Sequence, residues 1–308
     1  MVQRTQGDAV SLLWPDAEIV CENTDAITRE EWLALRREGI GGSDAAAALG
    51  LSPFATPVSL YLDKTDPQED VDTERFEWGR RMEEPIAKAF SDKTGIAITY
   101  QPVMLRSLKW KFALANPDRF VDGGILECKN VGAHNAREWD DGPPLHYRLQ
   151  GQHYLAVTGL DVVYFAALIG GSRLVIYEVH RDEGLIADLI QREEAFWTLA
   201  TLRRMPEIDG SDVTKDALSA HFEATDDAIE VGNDFMELVN AHHLAALEVK
   251  IAKERLEATD NKIRAVMGDA SVATYEGVVT ATWKTQVRKA HEVNEVTFRK
   301  LDVKKVKD

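Results

Sequence analysis

Gly95 marks a change of period in the chain. Before it, apolar residues recur every three or four positions. From Ile96 they alternate with polar ones in short runs, and Asp122-Gly123-Gly124 sits between two of those runs as a tight hairpin turn. Segments 98–100, 119–121, 125–130, 162–169 and 173–180 read as strands. A helix over 144–159 precedes the last two of them, and another over 182–205 follows. This order predicts an α/β (α+β) sandwich: a mixed central sheet flanked by helices.

The helices ahead of the sheet carry clear start signals. Thr28-Arg-Glu-Glu31 is a capping box before Trp32, Leu33 and Leu35, in a helix that ends at Gly39. A second helix is expected from Ser43 to Gly50, a third from Thr56 with Pro57 at its first position, and a longer one over 74–93. Residues 1–28 hold five acids and one base without periodicity and read as a leader, while 206–240 hold ten acids and one lysine and read as an acidic linker. A core domain is therefore expected over 29–205 and an extension over 206–308. In that extension Phe235, Leu238, Leu244, Leu247, Ile251 and Leu256 form a helical stripe reaching Met267, a helical hairpin or a partner-binding helix. Two short strands over 272–275 and 278–283 and a basic tail over 300–307 follow.

The 308 residues carry 36 Lys+Arg against 52 Asp+Glu, a formal charge of −16, which excludes a protein that coats nucleic acid with its whole surface. The surplus is uneven: residues 101–205 hold 12 bases and 13 acids, so a local grip on a few phosphates stays open. Cys21 and Cys128 are too few for a disulfide framework, a four-cysteine zinc site or an iron–sulfur cluster, and they suit a reducing compartment. With no run of about 18 apolar residues and no signal-peptide pattern, a cytoplasmic protein without a membrane anchor is expected.

Chemistry concentrates around the hairpin. Pro117-Asp118 precedes the turn and Glu127-Cys128-Lys129 follows it. Strand residues two apart share a face, so Glu127 and Lys129 project together, Cys128 points into packing, and the turn folds Asp118 back beside them. Two carboxylates with a lysine can hold a hard divalent cation such as Mg²⁺ and orient a water for attack on a phosphodiester. Taken alone the pattern is weak, because a turn aspartate and a salt-bridged strand edge look the same.

Three further groups bear on it. Glu83, on the long helix after Gly79, offers a third carboxylate, or else a surface acid paired with Arg80 or Lys88. Gly39-Ile-Gly41-Gly42-Ser43-Asp44 follows a helix rather than a strand, and Asp44 stands where a dinucleotide loop needs glycine. It offers instead amides and a hydroxyl for a phosphate, with Arg36 and Arg37 nearby, or a plain turn with Ser43 as N-cap. Gln150 and Tyr154 lie one helical turn apart and can hydrogen-bond a phosphate or brace a lysine. His146, His153 and the pair His242-His243 lack metal-protease spacing and read as ordinary core or surface histidines.

In this order, Trp32-Leu-Ala-Leu-Arg36 through Ser43-Asp44, Gly79-x-x-x-Glu83, Pro117-Asp118, Glu127-Cys-Lys129 and Gln150-x-x-x-Tyr154 resemble the YqaJ-type, lambda-exonuclease-like phage recombination family of the PD-(D/E)xK nuclease superfamily. The resemblance covers about residues 29–205 and implies a restriction-endonuclease-like core. It implies that Asp118, Glu127, the carbonyl of Cys128 and Glu83 hold one or two Mg²⁺ ions, with Mn²⁺ substituting, and that Lys129 positions the attacking water. It further implies that Arg36, Ser43 and Asp44 form the 5′-phosphate pocket, with Gln150 and Tyr154 beside it. In this chain Glu84, not Glu83, precedes the proline, so either is a candidate ligand.

The expected function is then a Mg²⁺-dependent exonuclease that digests one strand of linear duplex DNA from its 5′ end and leaves a 3′ overhang for recombination. The resemblance implies a single-strand annealing protein as partner and a ring-shaped trimer. Two other readings remain: an endonuclease of restriction or repair type with the same site, and a non-catalytic adaptor that binds DNA ends or the annealing partner through the helical stripe.

Overall fold

Capping residues set the helices that lead into the sheet. This computed structural model describes residues 13–67, 73–222, 224–225 and 227–285, without the side chain of Arg75. Residues 1–12 of the leader, Glu223 and Asp226 of the acidic run and the basic tail lie outside the described residues. Strand β1 (Ala17–Cys21) comes first. Helix α1 (Arg29–Arg37) begins at the reciprocal capping box of Thr28 and Glu31. Helix α2 (Gly42–Ala48) is capped differently from expectation: the Asp44 carboxylate accepts from the Gly41 amide at 3.0 Å, so Ser43 is not the N-cap and its hydroxyl is left for Arg36. Helix α3 (Pro57–Thr65) is capped by Thr56. Helix α4 (Glu74–Thr94) stops at Gly95, whose φ of 75° suits the left-handed cap.

Strands β2 (Met104–Ser107) and β3 (Leu114–Ala115) join β1 in an antiparallel three-stranded sheet, order β1-β2-β3. None of these three was expected, because each is short and β3 has only two residues, too few to display alternation. The expected strand at 98–100 is instead a single bridge from Thr99 to Phe120. The main sheet has the order β4 (Arg119–Val121), β5 (Gly124–Val131), β6 (Val162–Ile169), β7 (Arg173–His180). Its pairings are antiparallel, parallel and antiparallel, so it is mixed. Val121 pairs with Gly124, and Gly123 takes φ 68° in the turn between them. The parallel pair β5/β6 is joined by the crossover helix α5 (Leu145–Thr158).

Alternation along β5 divides the core. Ile125 and Val131 face the larger cluster with Tyr154, Leu155 and Phe165, whereas Leu126 and Cys128 face Ile86, Ala87 and Phe90 of α4. Glu127 and Lys129 therefore share the α5 face, and Cys128 packs beneath α4. Helix α6 (Glu183–Thr201) follows the sheet. Helix α7 (Asp212–His221) occupies part of the expected acidic linker: Ser211 caps it, and the buried Thr214 hydroxyl donates to that of Thr56 at 2.8 Å. The chain divides into two compact units after Phe222. The second unit holds helix α8 (Asn233–Met267) and the hairpin of β8 (Val272–Tyr275) and β9 (Val278–Thr282). Among the described residues no helix is long and apolar enough to cross a membrane.

Candidate active site

The β4–β5 hairpin brings its two carboxylates together. Asp118 Oδ2 accepts from the Cys128 amide at 2.8 Å, and the Asp118 amide donates to Glu127 Oε1 at 3.4 Å. Glu127 Oε2 accepts from both Lys129 Nζ and Gln150 Nε2, each at 2.8 Å. Lys129 Nζ lies 5.0 Å from the centre of the Tyr147 ring, a cation–π contact that holds the ammonium over α5. The Cys128 thiol is buried, so any donor from that residue toward the site is its backbone carbonyl.

Helix α4 supplies the third acid. Glu83 interacts with Asp118 and Glu127 and lies 3.9 Å from Arg119 Nη1, whereas the largely exposed Glu84 pairs with Arg119 Nη2 at 2.9 Å. The buried Arg119, stacked 4.2 Å from the Tyr100 ring, thus separates the two glutamates. Its role was hidden in the sequence, where Arg119 is one residue of a short strand. Burial and then the Asp118 charge push the Glu83 carboxyl up to about 8, and the same two causes push Glu127 up to about 7. For Lys129 burial pulls downward, but Glu127 and Asp118 outweigh it and hold the ammonium protonated.

This cluster suits a hard cation in kind and in charge. Its donors are oxygens, and burial, with repulsion from Asp118 second, makes Glu83 and Glu127 resist ionisation, a penalty that a bound divalent ion would relieve. Among the described residues no three His, Cys, Asp or Glu side chains converge as a metal cage, and Glu127 is turned to Lys129 and Gln150.

The second half of the site is a cavity of about 130 Å³ bounded by Trp32, Arg36, Gly41, Gly42, Ser43, Asn116, Gln150 and Tyr154 among others. Arg36 Nη2 donates to Ser43 Oγ at 2.7 Å and to Asp44 Oδ1 at 2.9 Å, and its guanidinium lies over Trp32 at 4.9 Å. Asp44 is buried; burial raises its carboxyl, but Arg36 and Lys64 prevail and hold it well below the usual carboxylate range. Asp44 therefore does not line the cavity but anchors Arg36, which does. Lys64 Nζ, on α3, donates to Asp44 Oδ2 at 2.7 Å and to the Arg36 carbonyl at 3.0 Å. Nothing in the local sequence signals that lysine.

Tyr154 packs on Gly42 so closely that a Cβ there would lie 2.4 Å from its ring. Its hydroxyl donates to the Asn116 carbonyl at 3.3 Å, and Asn116 Oδ1 accepts from Trp32 Nε1 at 3.0 Å. Asn116 ties α1, α5 and the start of β4 together, and its place just before Pro117-Asp118 was the one available clue. Gln150 belongs to both halves: it lines the cavity and donates to Glu127. The structure thus places Glu83, Asp118, Glu127 and Lys129 in one cluster and Arg36, Ser43 and Tyr154 around the cavity, with Gln150 shared between them; the Cys128 side chain is in the core and Asp44 is buried against Arg36.

A central mixed sheet flanked by helices is also the fold of a solved alkaline exonuclease. The structure of that enzyme, LHK-Exo from Laribacter hongkongensis, with dAMP superposes with a TM-score of 0.50 at 20% identity, over 56% of this chain and 93% of that one. A phage-related exonuclease from Haemophilus somnus 129PT is more distant, with 13% identity and a TM-score of 0.44 over 56% of this chain and 97% of that one. Residues 31–161 match the YqaJ-like viral recombinase domain. An uncharacterized protein YqaJ of Bacillus subtilis (strain 168) is 34% identical over 302 residues, 95% of this chain and 91% of that protein. The chain belongs to the YqaJ-like viral recombinase family.

Proposed function

We propose that this protein is a Mg²⁺-dependent DNA exonuclease that degrades one strand of linear duplex DNA from its 5′ end. The observation that carries this reading is Gln150, which lines the cavity of Arg36 and Ser43 and donates to Glu127, itself bonded to Lys129. A cavity with an arginine in its wall next to a carboxylate cluster suits a strand end, whose terminal phosphate is held while the neighbouring phosphodiester is cleaved.

Asp118, Glu127, the Cys128 carbonyl and Glu83 would hold the cation. When bound, it supplies charge neutralisation at the scissile phosphate. Lys129 orients a water toward the phosphorus and, as a protonated ammonium, offsets charge building on the phosphoryl oxygens. Arg36 and Ser43 grip the terminal phosphate, and Tyr154 and Gln150 keep the two subsites in register. The 3′ overhang left behind is the substrate for strand annealing, which places the enzyme beside a single-strand annealing protein in recombination.

The test is linear duplex DNA labelled at either end and incubated with Mg²⁺. Mononucleotides should be released from 5′-phosphorylated ends, while covalently closed circles stay intact. Cleavage of the circles would make the protein an endonuclease, and DNA binding without release from any end would make it an adaptor.

A further inference from the structure

Helix α8 displays an apolar seam that the described residues leave exposed. Phe235, Val249, Leu256 and Ile263 stand at multiples of seven residues from one another, and Leu238 and Val266 each follow a position of that series by three. Their exposures are 49, 52, 63, 43, 68 and 88% in that order, so the whole seam is open. Ala245, Ala252 and Thr259 fill the second series between its ends, and His242 is the polar member of the first. A seven-residue repeat maintained from 235 to 266 places the seam along about 48 Å of helix, in the periodicity of one helix laid against another. A helix this exposed gains little from propensity alone and depends on burial of its apolar face.

We propose that α8 pairs with α8 of a second copy of this chain as a parallel, in-register, two-stranded coiled coil. Charge complementarity selects that occupant. With the seam residues assigned to the first and fourth places of the heptad, Glu248 and Arg255 flank the seam on one side and Lys253 and Asp260 on the other. In a parallel pair each flanking residue meets the one five positions further along the partner helix. Glu248 then meets Lys253 of the second copy, and Arg255 meets Asp260; both contacts join opposite charges. Among the described residues Asp260 has only a long contact to Arg264, at 3.9 Å. The alanines of the seam let two helices approach closely, but they would leave voids in the wider core of three. His242 meets its own counterpart across the seam, and a polar pair in that place fixes the register.

The experiment is sedimentation of the full chain, compared with Leu256→Glu. The wild-type particle should have twice the mass of the Leu256→Glu particle. An unchanged mass or a threefold change overturns the proposal, as does a wild-type chain that is monomeric at tens of micromolar, since the seam would then be covered by the chain's own terminal segment or by another protein. Two exposed substitutions test the charges without threatening the fold. Glu248→Lys should weaken the dimer about tenfold or more, and adding Lys253→Glu should restore it; absence of rescue overturns the in-register pairing. Under mild oxidation Val249→Cys should give a disulfide-linked dimer absent from the wild type, and failure to do so excludes the parallel arrangement.

Discussion

At Glu127 one oxygen accepts from an ammonium and an amide at once, while a second carboxylate stands behind it. Lys129→Ala removes the cation that makes this burial tolerable, and breaking a buried pair costs about 3–5 kcal/mol if the remaining acid stays charged. Because Glu127 is already pushed up to about 7, it can take a proton instead, and the fold survives. The expected outcome is loss of nucleotide release by a factor of about 10³ or more, with a circular dichroism spectrum like that of the wild type. The two neighbouring glutamates should separate cleanly. Glu83→Gln should cut release by at least about 100-fold, whereas Glu84→Gln, which loses only a largely exposed partner of Arg119, should change it less than about threefold. If Arg36 holds a terminal phosphate, Arg36→Gln should erase the preference for 5′-phosphorylated over 5′-hydroxyl ends. The ratio of release rates on the two substrates should fall about tenfold or more, the worth of a charged hydrogen bond of about 1.5–3 kcal/mol.

Between elements, the strongest unexpected tie is a buried pair that joins α5, α6 and β3. His153 Nδ1 lies 2.9 Å from Glu193 and Nε2 lies 2.9 Å from the Leu114 carbonyl, with both side chains fully buried. Burial pulls the imidazole down, but Glu193 and the Leu114 carbonyl raise it above its ordinary value. A raised folded-state value means the pair stabilises fully below about pH 6.5, the unfolded value, and loses that contribution as pH rises through the folded value. The urea midpoint of the wild type should thus exceed that of Glu193→Gln by about 1–3 kcal/mol equivalent at pH 6, and the gap should narrow toward pH 9. A gap independent of pH would show that the imidazole is neutral at both ends of that range. This pair also marks the limit of the sequence. The hairpin, the crossover helix and every long helix were legible because they signal locally, through caps, glycines and period. The β1–β3 sheet, Lys64, Arg119 and the His153–Glu193 pair were not, because each acquires its meaning from a partner dozens of residues away. The site divides the same way: Arg36, Asp118, Glu127, Lys129, Gln150 and Tyr154 stood out in the sequence, while Lys64, which anchors Asp44, and Arg119, which pairs with Glu84, needed coordinates.

For the whole molecule, the charge of −16 and the boundary between units are linked. Residues 206–240 hold ten of the acids, and a boundary at 205 would assign them all to a linker. Helix α7 instead lies within the first unit, with Thr214 buried against Thr56 and Ala217 and Leu218 packed on the main core. A chain ending at Phe222 should therefore fold and retain nucleotide release, whereas one ending at Met205 should expose the α3 surface that α7 covers. Losing the Leu218 contact and the Thr214 hydrogen bond amounts to about 2–4 kcal/mol, which lowers the melting temperature by roughly 5–15 °C in a unit of this size. The comparison is made by calorimetry on the two truncated chains. Equal melting temperatures would mean that α7 adds nothing to the first unit and that its acids belong to the linker after all. A lower value for the shorter chain, with release intact in the longer one, would show that the acidic run is interrupted by a helix the nuclease fold requires and that the catalytic unit needs neither α8 nor the hairpin beyond it.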